Sequence, residues 1–192
     1  MKRFSGKILL VFMALIVHVD SALTLEPITL QDGGTGNTVD LYPTFGEEDK
    51  GLLFYANERF GYCVKIPEIF TKVVLFPDNE GGMILESQDG QYRFRVSGGF
   101  VLSEDQLRTA MEAAKQHVVE IVDGAMVFEK IGRDWWELSW WNGPEKGVRK
   151  LVTNGEFWSE CEIAWPGQPH NAPGEYDELF ERSLETLTFP DG

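Results

Sequence analysis

Apolar and polar residues alternate over 60–66, where Phe60, Tyr62, Val64 and Ile66 are separated by Gly61, Cys63 and Lys65. A period of two puts the apolar set on one side of a strand, and Pro67 ends it. A short strand is expected at 73–76. Residues 83–87 and 92–97 flank Gln88-Asp89-Gly90-Gln91, and Asp-Gly between alternating runs predicts a hairpin. In its second arm Tyr92, Phe94 and Val96 share one face, with Arg93 and Arg95 on the other. The period then changes. Ser103-Glu104-Asp105-Gln106 has the form of a capping box, and Leu107, Ala110, Met111, Ala114 and Val118 recur at helical spacing.

Four more strands are expected at 125–131, 135–141, 147–153 and 156–165. Gly132-Arg133-Asp134, Asn142-Gly143-Pro144 and Asn154-Gly155 join them as tight turns. After a loop over 167–174, the inward stripe Tyr176, Leu179, Phe180, Ser183, Leu184 and Leu187 predicts a final helix. Hairpin-linked strands imply an antiparallel sheet. The expected fold is therefore α+β, a central antiparallel sheet with helices packed on its faces.

Residues 22–54 lack such a period. They carry Gln31-Asp32-Gly33-Gly34-Thr35-Gly36-Asn37 and the acidic Glu47-Glu48-Asp49. They are read as a mobile Gly-rich, acidic lead-in with a hairpin at the glycines, ahead of a domain over 55–190. Before them, Lys2, Arg3 and Lys7 precede an unbroken apolar run from Ile8 to Val17, and small residues follow at Val19, Ser21 and Ala22. That order is the signature of a secretory signal peptide, 1–21. A spanning helix needs about 20 apolar residues, so this shorter run reads as a cleaved signal rather than an anchor. A periplasmic or secreted location follows, with no stable membrane insertion after cleavage.

Charge narrows the partners. The chain has 31 Asp and Glu against 17 Lys and Arg, a formal net charge of −14 over 192 residues. Such an excess repels phosphate backbones and anionic lipid surfaces, which disfavours nucleic acid and membranes as partners. The expected partner is a protein or a small ligand.

The run Tyr55-Ala56-Asn57-Glu58-Arg59-Phe60-Gly61-Tyr62 into Ile66-Pro67 resembles the opening strand of the PsbP-like superfamily. The hairpin Ser87-Gln88-Asp89-Gly90 is similar to its second landmark. Ala164-Trp165-Pro166, followed by the helix to Leu187-Thr188-Phe189, is similar to its ending. The resemblance spans about residues 54–189. It implies a PsbP-like α/β/α sandwich and, from members that include bacterial exported proteins and the extrinsic PsbP protein of photosystem II, a mostly accessory role. No functional residue of that family has a counterpart here.

Among candidate chemistries, the six tryptophans all fall in the last third. Strand alternation sets Trp136, Leu138 and Trp140 on one face and Trp135, Glu137, Ser139 and Trp141 on the other. Trp135, Glu137 and Trp141 are the candidate ligand face, a shelf for a glycan or peptide; the competing reading is that every ring is core. Cys63 and Cys161 form one disulfide or remain two half-buried thiols; strand phase sets them with different neighbours. Gly33-Gly34-Thr35-Gly36-Asn37-Thr38 lacks the carboxylate of a calcium repeat. His117 and His170 have no metal-ligand spacing. No G-x-S-x-G and no phosphate-binding glycine loop before a helix is present. No catalytic residue, cofactor or metal is assigned. The expected function is an exported non-catalytic accessory or binding protein. A glycan- or peptide-binding module, or a secreted carboxylate-dependent hydrolase, is the alternative.

Overall fold

The computed structural model describes residues 26–77, 81–101, 104–121, 126–167 and 176–190. The signal-like segment, the Ser103 cap and His170 lie outside them. Strands β1 (Ile28–Gln31), β2 (Thr38–Pro43), β3 (Leu52–Asn57) and β4 (Tyr62–Pro67) form one antiparallel sheet in that order. Strands β5 (Phe70–Leu75), β6 (Gly82–Ser87), β7 (Arg93–Phe100), β8 (Met126–Ile131), β9 (Trp135–Trp141), β10 (Glu145–Thr153) and β11 (Phe157–Pro166) form a second. Its order is β5-β6-β7-β11-β10-β9-β8. Helix α1 (Glu104–Ile121) carries the chain from the middle of this sheet to its far edge. Three hairpins then bring it back, so that β11 pairs with β7. Helix α2 (Asp177–Glu185) follows.

This corrects the expected α+β sandwich of one central sheet with helices on its faces. The protein is mostly β, eleven strands in two antiparallel sheets, with two short helices among the described residues. The reason lies in the lead-in, which supplies β1, β2 and half of β3. Its glycines make the β1–β2 turn, where Asp32 Oδ1 accepts the Gly34 N–H at 2.8 Å and the Thr35 hydroxyl donates to Oδ2 at 2.9 Å. Leu41 in β2 and Leu53 in β3 are buried. The apolar layer covering the second sheet is therefore largely another sheet.

The main core lies between the two sheets. Tyr62, Val64 and Ile66 face Phe70, Met83, Leu85, Phe94, Val96, Cys161 and Ile163, and α2 adds Phe180 and Leu184. Each fully buried apolar side chain contributes about 1.5–3 kcal/mol. Helix α2 and the residues after it cover the open edge of β4. Thr188 exchanges backbone hydrogen bonds with Cys63, the Ser183 hydroxyl donates to Lys65 O at 2.6 Å, and Lys65 N donates to Thr186 Oγ1 at 2.7 Å. An edge so paired is blocked against other chains. Helix α1 lies on the opposite face of the large sheet, with Met111 and Ala114 packed among Trp136, Leu138 and Leu151, and Val118 against Trp140.

Candidate functional site

Alternation along β9 buries Trp136, Leu138 and Trp140 under α1. The turn before β9 and the turn before β11 lie at the same end of the sheet, because every second hairpin of a meander returns there. The two are tied together by Thr153 N donating to Asp134 O at 2.9 Å. Gly155 holds φ 90°, a left-handed conformation that a side chain would strain. Asn154 Oδ1 accepts the N–H groups of Glu156 and Phe157 at 3.0 and 2.8 Å. These turns and the first half of α1 enclose a groove of about 900 Å³, at the upper end of the range for small-ligand sites.

Its floor is Trp136 and Leu151, its roof Arg108 and Met111, and its rim Arg133 and Trp135. Trp135 is 38% exposed. Its indole folds so closely over Gly132 that a Cβ at position 132 would collide with it. Trp136 is 4% exposed, yet its Nε1–H has no hydrogen-bond partner. A buried donor without an acceptor costs about 1–3 kcal/mol, and this nitrogen exposes less than 1 Å² of its own surface. Beneath the same ring the Arg149 guanidinium lies 6.0 Å from the Trp136 centroid. Arg149 is bound in turn to Glu160 at 2.7 Å and sits 3.7 Å from Glu162. Burial pushes the Glu162 carboxyl above its ordinary range, against the pull of Arg149 and with the repulsion of Glu160.

The residues expected to form a shelf are not brought together. Trp135 belongs to the groove. Glu137 is held by Lys130 Nζ at 2.8 Å. Trp141 stands six residues along β9 from Trp135, about 20 Å for an extended strand, and outside the lining. Trp136, assigned from sequence to the opposite face, is the ring that joins Trp135. Arg108, Leu151 and Thr153 carry no mark in the sequence, and Met111 reads there only as part of the helical stripe. The signal for them was the strand count, which sets the Gly132-Arg133-Asp134 and Asn154-Gly155 turns at one end.

Cys63 and Cys161 are free thiols. Cys161 is enclosed in the main core, whereas Cys63 alternates away from the buried Tyr62 and Val64. Burial raises both thiols above their ordinary range. His117 is on an exposed position of α1. Among the described residues no three His, Cys, Asp or Glu side chains gather as metal ligands, and no helix is long and apolar enough to cross a membrane.

No protein-family model and no curated protein matches the chain.

Proposed function

We propose that the protein is an exported, non-catalytic binding protein, and that the groove at the end of the large sheet holds a glycan or peptide. The observation that carries this reading is the groove itself, of about 900 Å³ and lined by the nearly buried ring of Trp136. Trp135 adds a half-open aromatic surface at the rim, and aromatic rings with one polar edge suit ligands that are apolar on one side and wet on the other. The described lining includes no His, Cys or Ser, and its one carboxylate, Asp134, faces the adjacent Arg133 at 3.8 Å. The basic-then-apolar N-terminus supports export, and the resemblance of residues 54–189 to the PsbP-like superfamily supports an accessory role.

Tryptophan fluorescence titrated with a panel of oligosaccharides and peptides tests it. A saturable change in the native protein that is lost in Trp136→Phe, with the unfolding midpoint nearly kept, is expected. If no member of the panel perturbs the emission, or if the change persists in Trp136→Phe, the groove is not the site.

A further inference from the structure

The groove departs from the charge of the rest of the chain. The protein carries 31 acidic against 17 basic residues, yet the described lining holds two arginines, Arg108 and Arg133, and one carboxylate. Three arginines outside the groove are engaged. Arg93 pairs with Glu86, Arg149 with Glu160, and Arg182 donates to the carbonyls of Glu48 and Lys50. Arg108 is on an exposed position and has no ion pair among the described residues. Arg133 has only the long contact to Asp134, with both side chains largely in water, a pairing worth little. Among the described residues, two guanidiniums without a close carboxylate partner therefore line a groove that also holds Trp135 and Trp136.

A planar guanidinium matches a carboxylate with two parallel N–H donors. An indole face takes up an apolar surface, and Trp135 and Trp136 both line the groove. A ligand meeting both needs is a ring with an apolar face and a carboxylate substituent. We propose that the groove binds a carboxylated sugar, a short oligouronate. This rests on the reading of the groove as a ligand site and specifies what enters it. The arginines stand at the roof and rim, where an incoming anion meets them before the floor. They counter the repulsion that the acidic surface exerts on any anionic chain.

The test is calorimetric titration of the full chain with trigalacturonate, with a neutral trisaccharide of glucose, and with a peptide bearing the same number of carboxylates. Trigalacturonate is expected to bind best, and its affinity to fall as salt is raised. Arg108→Ala and Arg133→Ala should each weaken it about tenfold, the scale of one charge-assisted contact. Arg93→Ala, distant in sequence and outside the lining, should not. Circular dichroism of each variant separates lost binding from lost folding. Equal binding of the neutral trisaccharide overturns the uronate assignment while leaving the groove a glycan site. Preference for the acidic peptide overturns the sugar. Binding of none of the three, with fluorescence unchanged, overturns the reading of the groove itself.

Discussion

Arg149 places Nη2 2.7 Å from Glu160 Oε1 across the β10–β11 ladder, with the two side chains only 13% and 7% exposed. The pair is not directly opposite in register; Arg149 faces Glu162 and Leu151 faces Glu160, so the guanidinium spans two carboxylates on one strand. A buried pair is weak support for stability, but breaking it is expensive. Arg149→Ala leaves Glu160 buried without its cation, and a loss of about 3–5 kcal/mol is expected in urea unfolding. Arg149→Met with Glu160→Leu should restore most of it. A double variant as unstable as the single one would show that the charges specify the packing.

Glu162, beside that pair, gives the sheet a pH dependence. Burial raises its carboxyl above the ordinary 4.5, so the folded state binds its proton more tightly than the unfolded chain does. The contribution to stability is full below the unfolded value and is lost as pH rises through 4.5 toward the raised folded value. Glu162→Gln removes that titration. The wild type should therefore lose stability relative to the variant as pH rises above 4.5, read from urea midpoints. A difference that does not vary with pH in this window would contradict the placement of Glu162. Glu86 behaves oppositely, because Lys72 lowers its carboxyl. Comparison of Glu162→Gln with wild type cancels that contribution.

Thiol chemistry distinguishes the two cysteines. Cys161 is enclosed and Cys63 half covered, and neither is bonded to the other. Native protein kept without reductant should titrate slowly at Cys63 and not at Cys161, and two thiols should react once the chain is unfolded. A mass two units below the reduced value, with no reactive thiol in denaturant, would mean a disulfide instead.

The position of Trp135 depends on Gly132, against which its indole lies. Gly132→Val should drive the ring off the turn, red-shifting its emission and weakening any groove ligand. The global cost should stay near 1–2 kcal/mol, because the site is at the sheet's end. Unaltered emission would show that the close approach does not hold the ring.

Exported protein should begin within a residue of Ala22. N-terminal sequencing of the extracellular or periplasmic fraction checks this, and retention of Met1 would remove the signal peptide.

The amino-acid order by itself determined most local elements from Phe60 onward, although β5 begins at Phe70 and ends at Leu75 where the pattern predicts a strand at 73–76. Period-two runs at Tyr62–Pro67, Gly82–Ser87, Trp135–Trp141 and Phe157–Pro166 and the helical stripe of α1 are properties of neighbouring residues, as are the turns Asp89-Gly90 and Asn154-Gly155. Alternation also sorted Trp136 from Trp135. The tertiary structure decided how the layers are filled. Leu41 lies between Asp40 and Tyr42, and Leu53 lies inside the apolar run 52–56, which has no period of two; they become core because the second sheet offers an apolar face to cover. It likewise decided the site. Rings on opposite faces of β9 line one groove because the strand ends there and Trp135 turns over Gly132. Arg108 arrives from a helix remote in sequence. Periodicity records which side a residue faces; what stands on that side is set by contacts between distant segments.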